Sequence, residues 1–242
     1  LMSKQTDLIN VTDAITVSGS NVGIGTSSPT SYASTTLQIA GSSATSDLKM
    51  TNTTTGVGDT AGYDLELNGN DINYVNRTSG GNQKFWTNST ERLRIDATGA
   101  VTMPHQPAFL VAPSGAQSNI TVGNEVTVVF GTEIFDQNAD FASNQFTAPV
   151  TGRYQLNLTL YVNSLDSASD YYHIKIWTSN RIYSSVIDPG VLASDPVYWN
   201  IPIAVLADMD LGDIAKVTIK QNNGTAQTDI INETTFSGYL VA

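Results

Sequence analysis

The chain has 242 residues, of which 14% are charged and none is cysteine, and its formal net charge is −11. The lack of thiols excludes a disulfide framework and cysteine chemistry. The acidic balance argues against nucleic acid, whose phosphates need Lys and Arg to displace their counterions, and no run of about 18 apolar residues predicts membrane insertion. Thr, Ser, Asn and Gly dominate, a composition that favours strands and tight turns, so an all-β chain with almost no helix is expected.

In chain order, residues 1–105 hold short strand-like pieces: ITV from Ile15, LQIA from Leu37, LKM from Leu48, YDLEL from Tyr63 and RLRI from Arg92. Clusters of Gly, Ser, Thr and Asn separate them. Each piece has too little apolar surface to close a core by itself, so these strands are expected to need neighbours from other chains. ITVSGSNVGI from Ile15 and LRIDATGAVTM from Leu93 both run strand, small-residue turn, strand, which predicts two similar hairpins rather than a strict repeat. Glycine does not recur at every third position, which excludes a collagen stalk. The reading is a thin β shaft, with a hairpin segment over 1–30 and a β-rich stem over 31–105.

From Pro107 the alternation lengthens to sandwich spacing: Glu125–Phe130, Arg153–Val162, Tyr172–Trp177, Trp199–Leu206, Ile214–Lys220 and Thr235–Val241. Turn signals stand between them at Ser179-Asn180, Gly212-Asp213 and Asn222-Asn223-Gly224. In FTAPVTGRYQLNLTLYV, Phe146 to Val162, the period of two puts Tyr154, Leu156, Leu158, Leu160 and Val162 on one dry face. Pro149 lacks a backbone donor and belongs at a strand boundary, and Gly152 is expected to allow the turn before that strand. Residues 106–242 are read as one all-β head.

PAF at Pro107–Phe109, FTAPVTGRY at Phe146–Tyr154, GDIAKV at Gly212–Val217 and the terminal FSGYLVA at Phe236–Ala242 stand in the order and approximate spacing of the complement component one q globular-head family. The head therefore resembles that family, which implies a jelly-roll sandwich of the tumour-necrosis-factor-like type assembled as a homotrimer. Asn144 stands where the family usually has glycine, and Asn is the residue that best replaces glycine in a left-handed conformation. NVGIGTSSP at Asn21–Pro29 and ERLRIDATGAV at Glu91–Val101 are similar to segments of bacteriophage tail fibres.

His105 and His173 are too few for a histidine metal cluster, and His173 alternates with Lys175 and Trp177 opposite Ile174 and Ile176, as on an outer or intersubunit strand face. DMDLGD, Asp208–Asp213, departs from a calcium loop because its glycine is fifth and no matching Glu follows, and it reads as a strand-to-strand turn. The family resemblance implies calcium held by acidic loops, for which Asp188 and Asp195 in IDPGVLASDPVYW are the candidates by position. Read by themselves, they are two solvated loop carboxylates. Asp166 with Asp170, or Asp188 with Asp195, would be the carboxylate pairs for glycoside cleavage, a chemistry that sets their separation, but no enzyme is expected.

The aromatic residues are the better lead. Tyr171 and Tyr172 follow the loop SLDSASD, and Tyr198 and Trp199 follow LASDP. Rings beside carboxylates suit a sugar face or a protein hot spot, whereas in a sandwich or on a trimer axis they fill space. The expectation is a homotrimeric fibre on a virion surface, outside the cell, joined to other fibre or virion proteins. Its head would bind a host-surface glycan or protein through Tyr171, Tyr172, Tyr198 and Trp199. A purely structural trimerisation cap, or a bacterial surface adhesin, is the alternative.

Overall fold

Short alternating segments close as hairpins where a turn residue can take a left-handed conformation, and the chain does this throughout. The computed structural model describes residues 15–19, 21–24, 26, 29, 37–41 and 43–242, so positions 1–14 of the expected hairpin segment, and 25, 27 and 28 of NVGIGTSSP, lie outside the described residues. The chain divides into two units, Leu1–Thr102 and Met103–Ala242.

In the N-terminal unit, β1 (Ile15–Ser18) and β2 (Asn21–Ile24) form the expected hairpin around Gly19 at φ 63°, and β3 (Leu37–Ile39) joins β2 in parallel. A second sheet is the antiparallel meander β4 (Thr45–Met50), β5 (Tyr63–Asn68) and β6 (Asp71–Asn76). The third is β7 (Gln83–Thr87), β8 (Thr90–Ile95) and β9 (Val101–Thr102). Its β8–β9 turn is the LRIDATGAVTM hairpin, and Asp96 ties it by accepting from the Thr98 and Ala100 amides at 2.8 and 3.0 Å. The sequence pieces correspond to β1, β3, β4, β5 and β8. The strands β6 and β7 add partners that the apolar pattern did not announce.

The β4–β6 sheet inverts the usual burial. Register stacks Leu48, Leu65 and Tyr74 in one cross-strand row and Leu67 with Ile72 in the next, and all five side chains, with Met50, are exposed. The opposite face holds Asp64, only 1% exposed, and Glu66. Arg77 pairs with both, through Nε to Asp64 and through Nη2 to Glu66 Oε2 at 2.9 Å. Asp64 Oδ1 is buried without a partner.

The head is an antiparallel two-sheet sandwich whose chain passes repeatedly from one sheet to the other, as in a jelly roll. In chain order its strands are β10 (Ala108–Ala112), β11 (Val126–Thr127), β12 (Thr132–Asp136), β13 (Phe141–Ala142), β14 (Gln145–Thr147) and β15 (Gly152–Asn163). There follow β16 (Tyr171–Thr178), β17 (Ile182–Ile187), β18 (Tyr198–Met209), β19 (Ile214–Asn222), β20 (Asp229–Ile230) and β21 (Thr235–Leu240). One sheet runs β12-β10-β21-β15-β18 with β20 beside β15, and the other runs β13-β14-β19-β16-β17 with β11 beside β19. A 3₁₀ turn at Pro189–Val191 is the sole helical element among the described residues, and no helix there is long and apolar enough to cross a membrane.

The dry face read from FTAPVTGRYQLNLTLYV is the core wall: Tyr154, Leu156, Leu158, Leu160 and Val162 are all buried. The aromatic residues of three resembling motifs meet there. The Phe109 ring stacks on Phe146 at 4.8 Å between centroids and meets Phe236 edge-on at 5.1 Å, while Phe146 lies 5.3 Å from Tyr154. Gly238 is required at this junction, because a Cβ would come within 2.7 Å of both Leu156 and Phe109. Asn144 takes φ 64°, as its replacement of glycine implies, and its Oδ1 accepts from the Phe130 amide at 2.8 Å.

Some local expectations are corrected. Gly152 is not a turn residue but the first residue of β15, kept small because a Cβ would meet Leu240 and the Ala242 carbonyl. The segment Glu125–Phe130 pairs as a strand only at Val126–Thr127. Edge strands β12 and β17 carry apolar side chains on both faces, interrupted by polar ones, so no clean alternation marked them.

The two sheets differ on their outer faces. On the β15 sheet the outward residues Gln155, Asn157, Thr159 and Tyr161 align with Leu206, Ala204, Pro202 and Asn200 of β18 and with Tyr239, Ser237 and Thr235 of β21. That stretch carries no charge.

Candidate functional site

Long strands bring the loops of a sandwich to its two ends. At one end the chain enters and leaves the head: the Leu240 amide donates to the Pro107 carbonyl at 3.1 Å and the Arg153 amide to Ala242 at 2.7 Å. At the other, the loops after β15, β17 and β19 converge, with the Ser164 amide donating to Val197 O at 3.0 Å and the Asp170 amide to Asn222 O at 2.8 Å.

Two carboxylates tie this loop end together. Asp166 is buried. Its Oδ1 accepts from the Ala168 amide at 2.8 Å, and its Oδ2 accepts from the Thr225 amide and from Gln221 Nε2 at 3.4 Å. Gly224, at φ 85°, leaves room for that carboxylate, since a Cβ there would collide with Oδ2. Asp195 is exposed, yet it accepts from the Ser167 amide at 2.8 Å, from Ser167 Oγ at 2.6 Å and from Gln227 Nε2 at 2.8 Å. The Ser167 hydroxyl, the Ser167 amide and Gln227 together lower its carboxyl to about 2. Asp166 thus fastens the β15–β16 loop to the β19–β20 loop, and Asp195 fastens the β17–β18 loop to both.

The four rings named from the sequence do not gather into one patch. Tyr172 is wholly buried and is removed as a contact residue: its hydroxyl accepts from the Asp166 amide at 2.9 Å and bonds Thr228 Oγ1 at 2.6 Å beneath the loops. Adjacent residues on a strand face opposite ways, so burying Tyr172 with Ile174 and Ile176 turns Tyr171 onto the outer face of its sheet. Trp199 is partly buried against the core. Tyr198 is 61% exposed, and Val197 and Val191 in the preceding loop are 62% and 84% exposed. Tyr198 opens β18 and the two valines lie in the β17–β18 loop that Asp195 ties.

The calcium assignment does not fit these residues. Asp188 Oδ1 caps the 3₁₀ turn by accepting from the Gly190 amide at 2.9 Å, while Asp195 is engaged by Ser167 and Gln227. Among the described residues no group of three or more His, Cys, Asp or Glu side chains could hold a metal ion. Of the carboxylate pair Asp166 and Asp170, the first is enclosed, and the second accepts from Asn222 Nδ2 at 3.0 Å and Asn223 Nδ2 at 3.4 Å. DMDLGD is the β18–β19 turn, with Gly212 at φ 88° and the Asp210 amide donating to Asp213 Oδ2 at 2.8 Å.

The cross-ties were missed in the sequence because their partners lie 28 to 59 residues apart. The left-handed pair Asn223 and Gly224, at φ 64° and 85°, is the one local signal of the loop that Asp166 holds.

No protein-family model matches the chain, and no curated protein matches it. Among solved structures, the globular domain of a zebrafish complement 1qA protein is 19% identical over 57% of this chain and 98% of its own, with a TM-score of 0.41. Murine APRIL at pH 8.0 is 12% identical over 56% and 99%, with a TM-score of 0.42, and at pH 5.0 it is 14% identical over the same shares, with a TM-score of 0.40. At this depth of similarity nothing about the function is taken from them.

Proposed function

We propose that the chain is a subunit of a homotrimeric fibre, viral in the reading we favour, whose head recognises a host-surface glycan. The observation that carries the assembly is the inverted β4–β6 sheet, with Leu48, Leu65, Leu67, Ile72 and Tyr74 exposed on one face and the Asp64–Arg77–Glu66 cluster on the other. An exposed apolar face of this kind marks an interaction surface, and further copies of the same chain would cover it around a shared axis. The uncharged stretch around Gln155, Asn157, Thr159 and Tyr161 on the outer face of the β15 sheet supports the same packing for the head, and the count of three rests on the resemblance carried by FTAPVTGRY and FSGYLVA. Recognition is assigned to the loop end, where Tyr198, Val197 and Val191 project from tied loops. The fluorescently labelled full chain should bind presumptive host cells saturably, and Tyr198→Ala should weaken binding about tenfold or more, as for an interface hot spot. An assembled chain that binds no such cell would leave the purely structural role.

A further inference from the structure

The head holds five cations, Arg153, Lys175, Arg181, Lys216 and Lys220, in an acidic chain. Three of them share one surface, the outer face of the β13-β14-β19-β16-β17 sheet. Register sets Trp177 beside Lys216, Lys175 beside Thr218 and His173 beside Lys220. Lys175 is held by Glu125, the acid that reaches this face from outside its strands, and Glu125 Oε2 accepts from Thr218 Oγ1 at 2.6 Å. Lys216 and Lys220 have no ion-pair partner among the described residues. They sit four residues apart on one strand face, about 13 Å along β19.

The ring beside Lys216 is fixed. Trp177 Nε1 donates to Thr218 Oγ1 at 2.9 Å, and Lys175 Nζ lies 5.1 Å from the ring centroid. Thr218 is buried, so the chain Trp177–Thr218–Glu125–Lys175 holds an indole at the surface. With the Lys175 ammonium over the ring, the partly exposed indole offers its remaining apolar surface to a sugar.

We propose that this face binds an acidic polysaccharide, its sugar rings on Trp177 and its carboxylates on Lys216 and Lys220. Nucleic acid is a poor fit, because it places a charge about every 3.4 Å along each strand where the two free lysines stand about 13 Å apart. A glycan with uncharged sugars between its uronic acids matches that spacing. The surface is distinct from the Tyr198 loop end and needs no particular subunit number.

The test is titration of the full chain with a hyaluronan oligosaccharide, followed by Trp fluorescence and calorimetry, with the same oligosaccharide methyl-esterified at its carboxylates as the neutral control. The expected result is saturable binding that weakens steeply with salt and is lost on esterification. Lys216→Gln with Lys220→Gln should weaken it at least tenfold with an unchanged circular dichroism spectrum and melting curve, whereas Arg153→Gln on the other sheet and Tyr198→Ala should leave it intact. No binding by the native chain, equal binding of the ester, or binding that survives the lysine pair but falls with Tyr198→Ala would overturn the proposal. Cell binding that depends on Tyr198 alone would keep the loop-end reading while removing this one.

Discussion

The head and the N-terminal unit are written in the same alternating pattern, yet they resolve it in opposite ways. The head turns Tyr154, Leu156, Leu158, Leu160 and Val162 inward, where a second sheet covers them. The β4–β6 sheet turns Leu48, Leu65, Leu67, Ile72 and Tyr74 outward and covers Asp64 instead. Alternation fixes which residues share a face, but a second layer decides which face is dry. The head supplies its own second layer, whereas the β4–β6 sheet calls for one from elsewhere.

That contrast can be broken at the head's core first. Phe109→Ala should lower the head's unfolding free energy by about 4 kcal/mol, measured by denaturant unfolding, because its ring touches Phe141, Phe146 and Phe236. Asp166→Ala should cost about 3 kcal/mol by stranding the Ala168 and Thr225 amides without an acceptor. Tyr172→Phe, which removes one hydroxyl beneath the loops, should cost about 1 kcal/mol.

The smallest effect is a pH dependence. The folded Asp195 carboxyl sits at about 2, below its ordinary value of 3.8. Its contribution is therefore complete above the unfolded value and is lost as pH falls from about 4 towards about 2. The fall in melting temperature between pH 5 and pH 2 should be shallower in Asp195→Asn than in the native chain. An equal fall in both would show that Asp195 does not tie the loops.

Sequence reading reached the strands whose two faces differ chemically. β15, β16, β19 and β21 each alternate cleanly, and Pro149, Asn144 and Gly212 stand where their backbone limits place them. It missed β12 and β17, whose edge positions leave apolar groups on both faces. The resembling motifs mark the fold rather than a site, since Phe109, Phe146, Tyr154 and Phe236 are core residues. Tyr172 could have been separated from Tyr171 by parity with Ile174 and Ile176. The lysine row could likewise have been read from IAKVTIKQN, where Lys216, Thr218 and Lys220 fall on one face. The ties of Asp166, Asp195 and Glu125 could not, because each joins loops or strands distant in sequence.

The most direct measurement is sedimentation equilibrium of the full chain beside Leu65→Glu, a substitution on the exposed face of β5. The account predicts a native species of three times the chain mass at micromolar concentration, and dissociation of the variant with its head still folded by near-ultraviolet circular dichroism. A native chain that remains a monomer, or a variant that stays assembled, would contradict it.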